Sequence, residues 1–198
     1  MTLESISDAY GSRVVEYIDA VGRIEHVAEA DLALVTQWAT ALEGHVLDVG
    51  CGPGQWTHHL MELGVSVEGV DPVPAFIEHA RATYPGVRYR AGRSESLGVD
   101  DGTLGGVLAW YSLIHTDPAR IDEPLAEFAR CLRPDGGLAV GFFAGSELGS
   151  FAHAITTAYH WPIDLLASKV EAAGFTVRHT ESRTDRPNRT HGAILAVR

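Results

Sequence analysis

The chain has 198 residues, of which 45% are hydrophobic and 21% charged, so we expect a single globular domain over residues 1–198. Its longest apolar runs, such as residues 138–144, are far shorter than the roughly 20 residues that cross a bilayer, and residues 1–8 do not read as a signal segment. We therefore expect a cytoplasmic protein with no membrane partner. The formal net charge of −11 disfavours a nucleic-acid partner, because an acidic surface repels phosphate backbones.

The ten histidines and two cysteines show none of the spacings that are typical of metal sites. Cys51 and Cys131 lie far apart, and the adjacent His58 and His59 point to different faces of the helix that we predict there. We therefore predict neither a metal site nor a disulfide framework.

Helices and strands alternate along the predicted chain. Residues 28–43 carry apolar side chains at a helical period, and Gly44 ends that helix. The elements predicted after it are a strand (45–50), a helix (55–63), a strand (65–71), a helix (74–84), two strands (87–91 and 104–111), a helix (120–132), a strand (138–144), a helix (163–173) and two strands (175–180 and 193–197).

This alternation predicts an α/β fold with right-handed crossovers and an open, mostly parallel sheet. Such sheets bind ligands at the carboxyl ends of their strands, where the strand order reverses. The last two strands follow each other without a helix, so we expect them to pair as an antiparallel hairpin. Segment 145–162 is a long aromatic insertion, and we expect it to form a substrate loop.

A glycine-rich turn follows the first predicted strand. Residues 46–54 read VLDVGCGPG, in which three glycines are spaced two apart and Asp48 precedes them. Glycine permits unusual backbone angles and lets a ligand approach the main chain closely. The G-x-G-x-x-G fingerprint of dinucleotide folds does not fit, because its third glycine would fall on Gln55.

A second acidic residue, Asp71, ends the second predicted strand, 17 residues after Gly54. A carboxylate at this position can accept hydrogen bonds from the two hydroxyls of a ribose. It can instead cap the helix that follows Pro72. The position at a strand end favours ribose binding.

At these residues the chain resembles the class I S-adenosylmethionine-dependent methyltransferases, in particular those that act on small molecules. The resemblance covers roughly residues 30–145. It implies a Rossmann-like, doubly wound, seven-stranded and mostly parallel sheet with a C-terminal antiparallel hairpin. It also implies S-adenosyl-L-methionine as the cofactor and S-adenosyl-L-homocysteine as the product. In this family the glycine-rich loop wraps the methionine and ribose, and the acid after the second strand holds the ribose. The cofactor contacts implied there are Asp48, Gly50, Cys51, Gly52, Gly54, Trp56, Asp71 and Pro72.

The chain departs from the family pattern after the third strand. Many relatives carry Gly-Asp-Ala there, and the Asp contacts the adenine amino group, whereas this chain has Arg93, which cannot accept a hydrogen bond. Adenine recognition must then rest on backbone groups, on Ser94 or on Glu95. Leu97 can pack on the adenine ring or belong to the core.

The fourth strand ends in Trp110 and Tyr111, of which only one is expected to face the cofactor, because side chains alternate along a strand. We include both as candidate cofactor contacts. His115, just beyond them, is a candidate general base that deprotonates a hydroxyl or thiol acceptor, because its reference pKa lies near neutrality. It can equally line the pocket or cap a helix.

Two aromatic segments are candidates for the acceptor pocket. Tyr10 and Tyr17 belong to a predicted N-terminal lid over residues 1–27, and Tyr159 and Trp161 belong to the insertion. Aromatic walls with polar tips suit a small ligand, although plain packing of a lid uses the same residues.

The sequence therefore predicts methyl transfer to a small molecule by in-line displacement, in a monomer or homodimer. Two alternatives stay open. A nicotinamide oxidoreductase shares the sheet and the acid after the second strand, but Gln55 counts against it. A cofactor-binding protein without catalytic activity would keep the loop and Asp71 yet lack an open acceptor pocket.

Overall fold

The computed structural model describes Ile18 and residues 22–153, 156–186 and 189–198. Tyr10, Tyr17 and most of the predicted lid over residues 1–27 lie outside these residues. The helices are α1 (Glu29–Thr40), α2 (Gln55–Glu62), α3 (Pro74–Thr83), α4 (Asp122–Cys131) and α5 (Ile163–Ala172). The strands are β1 (His45–Val49), β2 (Val67–Asp71), β3 (Arg88–Ala91), β4 (Leu104–Trp110), β5 (Leu132–Ala144), β6 (Gly149–Ala152), β7 (Thr157–Trp161), β8 (Thr176–Arg186) and β9 (Arg189–Val197).

The first five strands form a parallel sheet in the order β3-β2-β1-β4-β5. The chain runs outward from β1 to β3 and then returns to β4 on the other side of β1. The strand order therefore reverses between β1 and β4, which is where open α/β sheets bind ligands. All seven residues of β4 are buried, as a central strand covered on both faces requires.

Helices cover both faces of this sheet and bury two main apolar clusters. On one face, Val35 of α1 and Leu60 of α2 pack against Leu108 of β4. On the other face, Phe128 of α4 and Val170 of α5 belong to the cluster that contains Leu104, Val107 and Ala109 of β4. The predicted α/β architecture is confirmed.

The last two strands form the predicted antiparallel hairpin. β9 pairs with β5 on one side and with β8 on the other, both antiparallel. Together with the five parallel strands they account for seven strands, but β6 and β7 belong to the same sheet and bring it to nine, so the predicted count of seven is too low. The hairpin is longer than expected, because its outer half (residues 181–186, ESRTDR) is polar and gives no apolar strand signal.

The insertion over residues 145–162 is a hairpin rather than the expected loop. β6 pairs antiparallel with β7, and β7 joins β5 in parallel at Phe143 and Ala144. β9 occupies one edge of β5 as far as Ala144, so β7 must use the opposite edge, beyond Gly141, where pairing with β4 ends. The hairpin therefore lies over the carboxyl end of β4. Among the described residues, no helix combines the length and apolarity that crossing a membrane requires.

Candidate functional site

A cleft opens at the carboxyl ends of β1, β2, β3 and β4, at the reversal of strand order. Its empty space, including open solvent at the mouth, is about 1120 Å³. Its lining comes from the segment after each of these strands and from the start of α4. The lining residues are Val49, Gly50, Gly52, Asp71, Pro72, Val73, Phe76, Gly92, Arg93, Ser94, Glu95, Trp110, Tyr111, Ser112, His115, Thr116, Asp117, Arg120, Glu123 and Pro124.

The three glycines of the loop after β1 all have positive φ, yet their surroundings differ. A Cβ on Gly50 would collide with the Cβ of Ser112, and a Cβ on Gly54 would lie 2.7 Å from the hydroxyl oxygen of Tyr89. A Cβ on Gly52 would meet no atom within 4 Å. Gly50 and Gly54 therefore permit close packing of the loop, whereas Gly52 leaves open space for a ligand against the main chain.

Asp71 lies at the carboxyl end of β2 and lines the cleft. Its Oδ2 accepts a hydrogen bond from the amide of Gly52 (2.9 Å), and its Oδ1 accepts one from the amide of Val73 (2.8 Å). Burial raises the pKa of Asp71 to about 6, and the two amide hydrogen bonds oppose that rise. Each carboxylate oxygen has a further lone pair. Asp71 thus caps the chain before α3 and can still accept hydrogen bonds from a ligand.

Asp48 lies behind the loop and not among the residues that line the cleft. It is 2% exposed, and its Oδ2 accepts a hydrogen bond from the hydroxyl of Thr57 (2.7 Å). Burial raises the pKa of Asp48 to about 7, the nearby Asp71 charge adds to the rise, and the Thr57 hydrogen bond opposes it. Asp48 therefore fastens β1 to α2 beneath the loop.

The other predicted cofactor residues divide between the cleft and the core. Cys51 packs beside Ile77 of α3, Trp56 packs edge-on against Trp110, and Leu97 is fully buried in the main core. These three and Gly54 are not among the lining residues. The core takes the side chains of Cys51, Trp56 and Leu97. The predicted residues that the structure brings together around the cleft are Gly50, Gly52, Asp71, Pro72, Ser94, Glu95, Trp110, Tyr111 and His115.

Trp110 and Tyr111 both line the cleft, although side chains that alternate along a strand point to opposite faces. Which of them faces a cofactor stays a prediction. Tyr111 has φ 57, a left-handed backbone angle that is rare for a residue with a side chain and that ends the alternation of the strand. Its hydroxyl oxygen lies 2.6 Å from Nδ1 of His191 on β9. Strained backbone of this kind is frequent at ligand sites.

His115 lines the cleft beneath the β6–β7 hairpin. Its Nδ1 lies 2.7 Å from the carbonyl oxygen of Thr157. A carbonyl only accepts, so Nδ1 carries the proton and the lone pair of the neutral ring is on Nε2. Burial lowers the pKa of His115, and the Thr157 hydrogen bond opposes that shift. The ring is therefore neutral near pH 7, as a general base requires.

Tyr159 and Trp161 do not line the cleft, in contrast to their predicted place in the acceptor pocket. Trp161 is 3% exposed and faces the core beside Leu166 of α5, and Tyr159 packs partly buried against the same cluster. The backbone amide of Tyr159 donates to the carbonyl of Ile114 (2.8 Å). The hairpin thus attaches to the site through its main chain rather than through these aromatic rings.

Several lining residues were not predicted from the sequence. Ser112 follows β4 at the expected strand end, but nothing in the pattern distinguishes it from its neighbours. Its hydroxyl and the indole N–H of Trp110 are buried and have no hydrogen-bond partner among the described residues. Asp117, Arg120 and Glu123 reach the cleft from the turn before α4 and from its first turn, a segment that carries no motif.

The lining arginines are compensated by glutamates. Arg93 Nη2 lies 2.8 Å from a carboxylate oxygen of Glu95, and Arg120 Nη2 lies 2.6 Å from one of Glu123. Asp71 and Asp117 add further acidic groups to the lining. The cleft is therefore acidic on balance and favours a cationic ligand over an anionic one.

The chain is similar in sequence to known methyltransferases over the region that contains its parallel strands. Residues 46–136 match a family model described as a methyltransferase domain. An uncharacterized methyltransferase of Mycobacterium tuberculosis is 35% identical over 133 residues, which are 67% of this chain and 51% of that protein. The chain thus spans about half the length of the curated relatives it matches.

Two solved structures share the fold. One is the 1,6-didemethyltoxoflavin-N1-methyltransferase of Burkholderia thailandensis, solved with 1,6-didemethyltoxoflavin and S-adenosylhomocysteine bound. Its TM-score is 0.78 at 22% sequence identity, and the match covers 100% of this chain and 90% of the Burkholderia chain. The [4+2]-cyclase SpnF has a TM-score of 0.81 at 16% identity and covers 97% of this chain and 95% of its own. Proteins named for different reactions thus share this fold, so the argument for activity rests on the residues of the cleft.

Proposed function

We propose that this chain, which belongs to the class I S-adenosylmethionine-dependent methyltransferase family, transfers the methyl group of S-adenosylmethionine to a small-molecule acceptor by in-line displacement. One observation carries the proposal. The open side of Gly52 and the buried carboxylate of Asp71 lie together at the strand-order reversal, joined by a hydrogen bond of 2.9 Å. This pairing offers close main-chain approach and an acceptor for ribose hydroxyls in one place.

The residues of the cleft fit the cofactor. Asp71 would hold the ribose hydroxyls, and the main chain at Gly52 would lie against the ligand. The buried Ser112 hydroxyl and Trp110 indole N–H, which have no partner among the described residues, would meet polar groups of the ligand, because buried polar groups are normally satisfied. When bound, the cofactor supplies an activated methyl group on a positively charged sulfur.

The charges of the cleft favour this cofactor over a nicotinamide dinucleotide. The negative charges of a pyrophosphate favour unpaired cations, and both described arginines of the lining already pair with glutamates. A sulfonium, in contrast, gains from an acidic cleft. Gln55 in place of the third fingerprint glycine points the same way.

The chain contributes mainly alignment to the reaction. Holding acceptor and methyl group in line can supply roughly 7–11 kcal/mol of the barrier reduction. The β6–β7 hairpin covers the carboxyl end of β4 and helps to exclude water there, which favours a step that consumes a positive charge. His115 Nε2 takes the proton of an acceptor that carries one, while the Thr157 carbonyl holds the proton on Nδ1.

The small-molecule class of the acceptor is supported by charge and by shape. The net charge of −11 disfavours a polyanionic substrate, and the lining residues gather around one cleft at the carboxyl ends of the strands. The fold neighbour from Burkholderia thailandensis has 1,6-didemethyltoxoflavin and S-adenosylhomocysteine bound.

The proposal is tested by incubating the protein with methyl-labelled S-adenosylmethionine and a metabolite extract, followed by mass analysis of the labelled products. We expect a labelled small molecule with wild-type protein and a much weaker signal with Asp71→Ala, which removes the ribose acceptor. Label in nucleic acid or protein alone would contradict a small-molecule acceptor. Production of S-adenosylhomocysteine without any labelled product would contradict methyl transfer.

A further inference from the structure

Tyr111 is held at the wall of the cleft by three different contacts. Its backbone amide donates to the carbonyl of Gly141 (2.9 Å), its ring centroid lies 5.3 Å from that of Phe143, and its hydroxyl oxygen lies 2.6 Å from Nδ1 of His191. The left-handed backbone angle of Tyr111 costs free energy and persists only where the surroundings enforce it. The three contacts therefore fix the hydroxyl at one place.

His191 lies behind Tyr111 and is not one of the described residues that line the cleft. On β9 it stands directly across from Phe143 of β5 on one side and from Arg183 of β8 on the other. Directly opposed residues of antiparallel strands share a face of the sheet, so the three side chains form one row. The ring centroids of His191 and Phe143 are 5.7 Å apart. Neighbours on both sides thus confine His191, with its Nδ1 directed at the Tyr111 hydroxyl.

An ion pair anchors the outer end of this row. Arg183 donates to a carboxylate oxygen of Asp31 in the first turn of α1, and its Nη1 lies 2.7 Å from Oε1 of Glu181. The side chains of Arg183 and Asp31 are 19% and 9% exposed, so salt screens their attraction less than it screens a surface pair. The ion pair joins the β8–β9 hairpin to a helix 152 residues earlier in the chain. The position of His191 is therefore tied to the packed body of the fold.

The part of the cleft after β4 presents hydrogen-bond acceptors to a ligand. Nε2 of the neutral His115 ring carries a lone pair, because Nδ1 holds its proton against the Thr157 carbonyl. A tyrosine hydroxyl has one proton and two lone pairs, so a Tyr111 hydroxyl that donates to His191 can also accept from a ligand. Both residues line the cleft. Two acceptors in one site favour a ligand that brings two donors.

We propose that the Tyr111 hydroxyl, held by His191, accepts a hydrogen bond from a second hydroxyl or N–H group of the methyl acceptor, while His115 takes the proton of the reacting atom. The inference rests on the proposed function and names the class of acceptor, a small molecule with at least two hydrogen-bond donors. The reacting atom bonds to the methyl carbon, the carbon–sulfur bond breaks with its electron pair left on sulfur, and the proton passes to Nε2 of His115. Tyr111 is thus a contact residue that keeps its proton, and His191 is a positioning residue.

The class of acceptor is tested with the wild-type protein. Methyl-labelled S-adenosylmethionine is incubated with a metabolite extract, and the mass of the labelled product is measured in water and in deuterium oxide. Each O–H or N–H hydrogen that remains on the product exchanges and raises its mass. We expect at least one such hydrogen, because the donor that Tyr111 binds is not the atom that is methylated. A labelled product without exchangeable hydrogen would overturn the inference.

The roles of Tyr111 and His191 are tested by the single-turnover rate at which the labelled product forms. Tyr111→Phe keeps the ring and should lower the rate by about tenfold to a hundredfold, because the acceptor loses its alignment. His191→Leu should lower the rate by a similar factor. His191→Asn has nearly the shape of leucine but can hydrogen-bond to Tyr111, so it should restore most of the rate. In all three variants the affinity for S-adenosylhomocysteine should stay within about threefold of the wild-type value.

A double variant separates the hydrogen bond from general effects on the fold. Tyr111→Phe combined with His191→Leu should be no slower than Tyr111→Phe alone, because the effects of residues that act through one contact do not add. Thr190→Val is the matched control. Thr190 precedes His191 on β9, shares a hydrogen bond of 3.1 Å with Thr184 across the hairpin, and is not one of the described residues that line the cleft. This variant should keep the wild-type rate.

The outcomes separate the inference from the proposed function. Absence of any labelled small molecule with the wild-type protein would overturn the proposed function. A labelled product that forms at an unchanged rate in Tyr111→Phe, or as slowly in His191→Asn as in His191→Leu, would overturn the inference alone. Circular dichroism melting identifies a variant that fails to fold, and the exchangeable hydrogens of the wild-type product remain decisive in that case.

Discussion

The two halves of the cleft are built in different ways. The half formed by β1, β2 and β3 is held together by contacts between residues that are near in sequence. Gly52 and Asp71 lie 19 residues apart, after two strands that pair directly in parallel. The half after β4 depends on distant contacts, since His115 meets Thr157 42 residues away and Tyr111 meets His191 80 residues away. The first half therefore follows from a motif, whereas the second half exists only in the folded chain.

Variants of the two halves should accordingly separate cofactor binding from methyl transfer. His115→Gln, in the second half, should lower the rate of transfer by about 10²–10⁴-fold for an acceptor that carries a proton, because it removes the base. Its affinity for S-adenosylhomocysteine should stay near the wild-type value. The measurement is single-turnover formation of the labelled product together with calorimetry, and an unchanged rate would contradict the role of His115.

The next largest effect is expected within the loop of the first half. Gly50→Ala should destabilise the fold by about 3 kcal/mol, because the new Cβ collides with Ser112 and the backbone angle is left-handed. For a chain of this length that is about 6–12 °C in melting temperature.

Gly52→Ala is the matched control, because its Cβ would meet no atom and only the backbone angle is unfavourable. It should cost about 1 kcal/mol of stability while weakening S-adenosylhomocysteine binding, since the methyl group occupies the open side of the loop. Equal melting temperatures for the two variants would contradict the different surroundings assigned to these glycines.

Asp71→Ala should weaken S-adenosylhomocysteine binding by about tenfold to a hundredfold, from the loss of one or two charged hydrogen bonds. Asp48→Asn, at the buried carboxylate that does not line the cleft, should weaken it less. Calorimetry measures both. An equal loss in the two variants would mean that Asp71 acts through the loop rather than on the ligand.

We also expect a smaller effect of pH on ligand affinity in the half of the cleft that contains Asp71. Asp71 has a pKa raised by burial to about 6, so its charge is lost as the pH falls through 6. Affinity for S-adenosylhomocysteine should therefore drop by up to about tenfold between pH 7 and pH 5. Asp71→Asn should flatten the profile.

The raised pKa values of Asp71 and Asp48 also predict how the stability of the fold depends on pH. Carboxyls whose pKa is higher in the folded than in the unfolded chain favour the folded state below the unfolded pKa and lose that contribution as the pH rises through the folded pKa. For Asp71, and for Asp48 with a pKa of about 7, the window runs from about pH 4 to pH 7. Urea melts of Asp48→Asn should show a weaker fall in stability across this window than wild type.

The two halves of the cleft also differ in how much of their structure can be predicted from the sequence. The order of strands and helices, the turn at residues 50–54 and the acid at the end of β2 all leave local signals, and the structure confirms the fold they predict. The β6–β7 hairpin was missed, because its strands are short and its partner, the end of β5, is distant. The turn of the backbone at Tyr111 was missed because nothing local requires a left-handed angle at a tyrosine.

The direction in which a side chain points is the second feature that could not be predicted from the sequence. Cys51, Trp56 and Leu97 follow the motif closely in sequence, yet their side chains enter the core. Trp161 was predicted to line the acceptor pocket, but it faces α5. Residue type and spacing place a residue on an element, whereas the packing of the whole chain decides which face its side chain takes. The binding roles of the residues that do line the cleft remain predictions.

The central claim is that the loop at Gly52 and the carboxylate of Asp71 hold an adenosyl sulfonium compound. It is tested most directly by calorimetric titration of the wild-type protein with S-adenosylmethionine, S-adenosylhomocysteine and NADH. We predict saturable one-to-one binding of the first two and no measurable binding of NADH. Binding of NADH in preference to both adenosyl compounds would contradict the claim.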